Sequence, residues 1–429
     1  MTSFRSIPLI QHAAHLYPLC RSLTGVGVNQ TLEYFEDFFP ELERISFPSG
    51  SQVFDWNIPP VWNVRHAYLQ HIESNAIYAD FALNNLHLVG YSEPIDCIMD
   101  LVDLQKHLHS LPDKPYFIPY VTSYYRRTWG FCLPHIIRKS LPCGDYRVVI
   151  NSSIEPGNLH LSHALIPGKS PEEVFFSSYI CHPSMANNEL SGPIVLSAIL
   201  DYVRKKYPNP SYTYRFALLP ETIGSISYLS KFGNHLKDHC VAGFNLSCVG
   251  DDGPFSIVHS PYSDTLADTA LTAAISCEEN VIHYSFLDRG SDERQYCSPG
   301  IRLPLCTFTR SKFGKYIEYH TSADNLLLIS ESGLSNSVEK LCSIIDAFEL
   351  GLFPSASMVC EPQLGKRNLY PTLSSSNSNY INSKKMLDTL MYCDGKNSIF
   401  DIVGYTNSSL DEVIQSLQIL FQHGLVQQA

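Results

Sequence analysis

The apolar positions of this chain fall into three regimes. Up to about residue 55 they recur at helical spacing. "SIPLIQHAAHLYPLCRSL" and "NQTLEYFEDFF" both predict helices, the second through Leu32, Tyr34, Phe35, Phe38 and Phe39. From 56 to 150 the runs shorten, aromatic residues multiply and turn signals interrupt them, as in "WNVRHAYLQH", "YFIPYVTSYYRRTWGFCL" and "YRVVINSSI". This predicts a small β-rich domain. Beyond about 160 two patterns alternate. "EVFFSSYI", "YRFALLP", "GFNLSCVG", "VIHYSFL" and "IRLPLCTF" read as strands, with helices at "GPIVLSAILDYVRKKY", "SISYLSKFGNHL" and "DTLADTALTAAISC" between them. Alternation of this kind predicts an α/β domain, a mostly parallel sheet with helices on both faces. "SGLSNSVEKLCSIIDAFELGL" closes it as a long helix.

A polar stretch rich in Ser and Asn follows at 362–382 and predicts a linker. The tail, 383–429, carries three helical patterns and a strand stub. The third helix has a Ser N-cap, an acidic first turn and a Gly C-cap. Three helices and a strand in so short a segment predict a winged helix. The expected organisation is therefore an α/β domain over 1–55 and 151–361, interrupted by the β-rich insert at 56–150, then linker and tail.

Composition narrows the function classes. A chain of 429 residues with 44% hydrophobic and 17% charged residues is globular with a sizeable core. No apolar run reaches 18 residues, so no membrane span is expected, and charges and histidines interrupt any apolar stretch near Met1. Thirteen scattered cysteines without a CxxC pair suit reduced thiols in a cytoplasm. A net charge of −12 disfavours a general nucleic-acid binder. The third tail helix, 409–423, holds Asp411 and Glu412 and no Lys or Arg, which suits protein or intramolecular docking better than DNA.

The chemistry-bearing residues sit where strands end, which is where open α/β sheets bind ligands. "CHPSMANNELSG" offers His182 and Glu189 as metal donors, with Asn187 and Asn188 to orient them; read alone, it is equally a capped turn. Glu221, in "LLPETIGS", is placed for general-base work or for ligation, and equally for a helix N-terminus. "CVGDDG" brings Asp251 and Asp252, which bind metal or make a turn. "LDRGSDERQYCSPG" brings Asp292, Glu293 and Arg294 as pocket or ion-pair network. "EYHTSADN" brings His320 and Asp324. In the insert, Arg126 or Arg127 can grip a carboxylate and Trp129 can stack, although an aromatic cluster of the β domain is the plainer reading. A parallel sheet gathers such loops at one edge. His, Glu, Asp, Asp and His in that order is the donor set of a zinc hydrolase.

In order and context, "HPSMANNELSG", "PETIGS", "NLSCVGDD", "GSDERQY" and "YHTSAD" resemble the loops of the zinc aminopeptidase superfamily that also contains glutaminyl cyclases. More closely, "DWNIPPVWNVR", "LHSLPDKPYFIPYVTSYYRRTWGFCL", "CHPSMANNELSGP" and "LDRGSDERQYCSPGI" resemble an uncharacterised aminopeptidase-like family with an inserted β domain and a terminal winged helix. Some of its members are labelled with polysaccharide biosynthesis. The resemblance implies a phosphorylase/hydrolase-like fold and a zinc-dependent hydrolase cleaving an amide or peptide bond of a small peptide or amino-acid-modified metabolite. It implies one or two Zn2+ held by His182, Glu189, His320 and Asp251, with Glu221 as catalytic base. Asn188, Asp292, Arg294, Asp324 and Arg126 would support the ligands or bind substrate. Asn188 stands where a bridging Asp is expected and Ser247 where a further Asp is expected, so one zinc is the economical reading. Homo-oligomers are compatible with all of this. Two rivals remain: a non-catalytic binding protein on the same fold, and a regulator with an aminopeptidase-like sensor.

Overall fold

The computed structural model describes residues 3–369 and 377–428. Two N-terminal helices, α1 (Leu9–Leu16) and α2 (Val26–Phe38), lead into β1 (Leu42–Pro48) and a two-strand hairpin, β2 (Gln52–Val53) with β3 (Trp56–Asn57). The insert follows: β4 (Val61–His71), β5 (Ile77–Asp80), β6 (Ile95–Asp100) and β7 (Asp145–Glu155) form an antiparallel sheet in the order β5-β4-β7-β6. Since β7 pairs with β4 out to Glu155, the insert ends near Gly157, not at 150 as expected.

The chain returns through β8 (Asn158–Ile166) and β9 (Glu173–Tyr179) to helix α3 (Ser191–Lys206). Then come β10 (Thr213–Leu219), α4 (Ile223–His239), β11 (Cys240–Leu246), β12 (Ser256–Val258), α5 (Leu266–Ile275), β13 (Ile282–Tyr284), β14 (Leu305–Thr309) and α6 (Glu331–Gly351). Eight strands form one sheet in the order β1-β8-β10-β9-β11-β14-β12-β13. The pairs β9–β10, β9–β11, β11–β14 and β12–β13 are parallel; the other three are antiparallel. Central strands covered on both faces read as continuous apolar runs. Accordingly every residue of β9 and β10 is buried.

One close approach explains the "SG" that ends the His182 loop. A Cβ on Gly192 would lie 2.2 Å from Ser178 Oγ and 2.7 Å from Leu246 O. Only glycine lets the first turn of α3 press against β9 and β11. Ala186–Leu190 form a wide π-type turn just before it, which carries Asn188 and Glu189 inward.

The tail is a winged helix made of α7 (Asn377–Met391), α8 (Ile399–Thr406), α9 (Leu410–Gln422) and β16 (Val426–Gln428). Two boundaries differ from expectation. The strand stub pairs antiparallel with β15 (Pro354–Ala356), upstream of the expected linker, so the unit starts near 354. Helix α7 begins at Asn377, inside the segment read as linker; residues 370–376 of that segment lie outside the described residues. Phe400 and Leu417 share one hydrophobic cluster with Leu341, Ile345 and Phe348 of α6. Among the described residues no cysteine forms a disulfide, and no helix is long and apolar enough to cross a membrane.

Candidate active site

His182 lies three residues past β9, at the end of the sheet to which the β10, β11 and β14 loops also converge. Its Nδ1 is 2.8 Å from Glu189 Oε2. Glu189 is in turn 3.6 Å from Arg21 Nε, and the same Nε donates to the His182 carbonyl at 3.1 Å. Both side chains of the Arg21–Glu189 pair are wholly buried. Burial pushes the Glu189 carboxyl well above its ordinary range, and the Arg21 charge opposes that. A guanidinium stays protonated in proteins, and a buried cation needs an anion, so Glu189 is a carboxylate here. An ionised carboxylate only accepts, so His182 carries its proton on Nδ1 and turns the Nε2 lone pair toward the cleft.

This arrangement gives Glu189 two neighbours of opposite consequence. Donor atoms of Cys181, His182 and Glu189 lie within 4.8 Å of one another, the spacing of a metal cluster. Arg21 stands on that side, however, and its charge repels a second cation. As the side chains stand, Glu189 accepts from the imidazole from behind, a placement that orients the ring.

On the cleft side, Nε2 of His182 is 3.7 Å from Glu221 Oε2. The His320 ring centroid lies 5.4 Å from that of His182, and His320 Nε2 is buried without a hydrogen-bond partner. Burial, reinforced in His182 by Arg21 and in His320 by His182, lowers both imidazoles to about 3. Both are neutral at working pH, the state that ligates metal. His320 has a φ of 55°, in the left-handed region, and its ring stacks on Tyr319 at 3.9 Å. The insert holds it there. The Tyr120 N–H donates to the His320 carbonyl at 2.9 Å, and Ser322 N–H donates to the Ile118 carbonyl at 2.9 Å.

Glu221 sits at the β10–α4 corner, its side chain 21% exposed. Burial, then the neighbouring Asp292 charge, pushes its carboxyl up to about 8. The corner is strained: Thr222 has φ 65° and ψ −75°, and Ile223 N–H donates to the Glu221 carbonyl at 2.8 Å across it. Asp292 holds this turn by accepting from Thr222 N–H and Ser225 Oγ, each at 2.7 Å. Its second oxygen is buried without a partner, and burial raises its carboxyl to about 6. Arg294 is exposed and donates to Thr222 Oγ1 at 3.0 Å.

The remaining expected residues do other work. Asp251 accepts from Asn187 Nδ2 at 2.6 Å, from Gly253 N–H at 2.6 Å and from Ser311 Oγ at 2.9 Å, so both its oxygens serve hydrogen bonds within the loops. Asp324 accepts the backbone N–H groups of Ala186, Asn187 and Asn188 and the Tyr316 hydroxyl, which pins the loop before α3. Asn188 is buried, its carboxamide oxygen 3.5 Å from the Tyr179 hydroxyl; that hydroxyl is 2.6 Å from Ser247 Oγ. The places expected for bridging carboxylates thus hold neutral groups that both meet the Tyr179 hydroxyl. Arg126 is exposed and does not line the cleft, and Trp129 stacks on His107 at 3.7 Å. The donors that face the cleft are two imidazoles, with Glu221 beside them, a set that suits a single ion.

Over these groups lies a pocket of about 380 Å³, walled by Trp56, Tyr120, Tyr124 and Tyr125 and floored by His182, Glu221 and His320. Sequence reasoning missed Arg21 and the tyrosines. Arg21 carries no motif, and the tyrosines lie in an insert whose approach to His320 depends on tertiary pairing.

Comparisons with known proteins agree with this architecture. A family model described as "Domain of unknown function (DUF4910)" matches residues 10–351, and a winged helix-turn-helix model matches 353–428. A Clostridium acetobutylicum protein named "Putative polysaccharide biosynthesis protein with aminopeptidase-like domain" is 38% identical over 90% of this chain and 88% of its own. A crystal structure of a "putative peptidase" from the same organism is 35% identical, with a TM-score of 0.88 over 98% of this chain and 96% of its own. A zinc aminopeptidase from Bacillus subtilis, only 12% identical, superposes with a TM-score of 0.55 over 78% of this chain and 94% of its own, a likeness of fold. The chain therefore belongs to the family of the DUF4910 domain, built on the aminopeptidase-like fold and ending in a winged helix-turn-helix.

Proposed function

We propose that the chain is a single-zinc hydrolase of aminopeptidase type that cleaves an amide bond of a small peptide or amino-acid-modified metabolite. The observation that carries this reading is the convergence of three groups on one pocket floor: His182 Nε2, the partnerless His320 Nε2, and Glu221 within 3.7 Å of His182. His182 and His320 would hold the ion, which when bound would polarise the amide carbonyl and acidify a water. Glu221 takes the proton of the attacking water and passes it to the departing amine. For that role Glu221 must start ionised, the form that a cation bound at the neighbouring imidazoles would favour. Aromatic walls exclude bulk water and offer flat apolar faces to the substrate. The name of the Clostridium relative adds amide-bearing sugars to the substrates worth testing.

The test begins with metal content. Protein prepared free of chelator is expected to bind one zinc per chain, and His320→Ala to lose it. Glu221→Gln is expected to keep the metal and to lower amide hydrolysis at least ~100-fold, the scale of a lost general base. Absence of zinc binding, with ligand binding unchanged in His320→Ala, sinks the hydrolase and favours a binding protein.

A further inference from the structure

Trp56 belongs to two cavities. One is the pocket over Glu221; the other, about 270 Å³, lies beside it. Helix α4 runs under both. Ile223 lines the first, and Ile226 and Leu229 line the second. Steps of three residues keep these side chains on one helical face, so the two cavities form one track leading away from Glu221. The opposite wall is the β2–β3 hairpin with Phe54 and Trp56, and Ile301 adds a further apolar side.

The hairpin presents aromatic surface at a cost. Phe54 is 59% exposed and Trp56 39% exposed. Phe54 also has a φ of 53°, a left-handed conformation unfavourable for a bulky side chain. The arrangement is braced: Trp56 lies 6.0 Å from the Tyr125 ring, and the Tyr125 hydroxyl donates to the Asn57 carbonyl at 3.1 Å. An apolar hollow held open beside a reactive carboxyl is a recognition surface.

We propose that this second cavity is a substrate subsite for an apolar side chain, aliphatic or aromatic, carried about two residues beyond the bond cleaved at Glu221, with Trp56 as the specificity-determining wall. The inference rests on the hydrolase reading above. From Glu221 to the stretch between Ile226 and Leu229 the chain advances five to eight residues. At 1.5 Å per helical residue that is about 8–12 Å, which roughly two to four residues of extended peptide span at ~3.3 Å each. Asp55, Gln295 and Ser298 are the polar members of the lining and can meet the peptide backbone.

Gly300 supplies a way to close the cavity. A Cβ there would meet no heavy atom within 4 Å, so Gly300→Trp starts a bulky side chain from open space at the cavity's lining. Binding of Ala-Gly and Ala-Gly-Phe is measured by calorimetry on the zinc-loaded Glu221→Gln protein, in which turnover is slowed. The Phe peptide is expected to bind at least ~tenfold tighter, the scale of one buried aromatic side chain. That advantage should fall within about twofold in the Gly300→Trp and Trp56→Ala versions of the same protein. Equal affinity of the two peptides, binding of neither, or an advantage that survives both substitutions overturns the subsite. The two readings fail separately. A Phe advantage that depends on Gly300, with no cleavage by the native protein, leaves the subsite and removes the hydrolase. Cleavage without any Phe preference does the reverse.

Discussion

Arg21 shows how one residue fixes the chemistry of another. It has no solvent and no motif, yet it braces the His182 carbonyl and neutralises the carboxylate that sets the imidazole tautomer. Glu189→Gln keeps an acceptor for Nδ1–H but removes the charge. It is expected to weaken zinc binding by ~10–100-fold in a chelator competition, the usual cost of losing such a support. Arg21→Met leaves a buried carboxylate uncompensated and should cost about 3–5 kcal/mol in urea unfolding. Glu221 adds a pH dependence. Its folded value of about 8 lies above its ordinary 4.5, so between these values the folded state binds more protons than the unfolded one. Stability of the metal-free protein must then fall as pH rises through this window, by at most ~1.4 kcal/mol per pH unit from this group. Urea unfolding at pH 6.5 and 7.5, with chelator present, should show that loss in the native chain and a smaller one in Glu221→Gln. Zinc affinity should move the other way, rising with pH, because the ion favours the ionised carboxyl.

At the scale of elements, the strand-end loops depend on close packing that tolerates little. Gly192→Ala would drive a methyl into Ser178 Oγ and the Leu246 carbonyl. It should cost about 1–3 kcal/mol, the scale of overpacking, and weaken zinc binding as well, because α3 and the His182 loop move together; paired thermal and metal titrations check both. Much of this layer was legible in the residues. Continuous apolar runs marked β9 and β10, and Ser409 with Glu412 marked the start of α9, where the structure forms a reciprocal cap. His182, Glu221 and His320, which line one pocket, stood out in the sequence because strand-end polar residues converge on one edge of a parallel sheet. The surroundings of the acids were not legible, since sequence order says nothing about which way a carboxylate faces. Glu189 and Asp251 offer the right chemistry. One faces a buried guanidinium, and the other closes a turn against Ser311. The wing of the tail was misjudged for a similar reason: its partner strand at 354–356 lies upstream of the segment that reads as a boundary.

For the whole molecule the question is whether the winged helix is an independent DNA reader or a fixed part of the body. In helix-turn-helix proteins the N-terminal residues of the recognition helix contact base edges. Here the first turn of α9 is tied to neighbouring helices: Asp411 accepts from Ser343 Oγ of α6 at 2.7 Å, and Glu412 pairs with Lys385. Phe400 of α8 packs on Phe348 of α6 with ring centroids 5.7 Å apart. Between 383 and 429 three lysines stand against five acids, so the charge that attracts phosphate is missing. A tail that shares its core with α6 should unfold with it. Calorimetry of the full chain is expected to give one transition that includes the tail, and Phe400→Ala should lower that whole transition, costing about 3–5 kcal/mol. Two separate transitions, with only the smaller one shifted by Phe400→Ala, would show that the tail is a detachable module. A gel shift of the full chain with a duplex at near-physiological salt tests the same point from outside. No retardation is expected at micromolar protein, and tight, salt-sensitive binding would mean that α9 leaves α6 and that the regulator reading has to be taken up again.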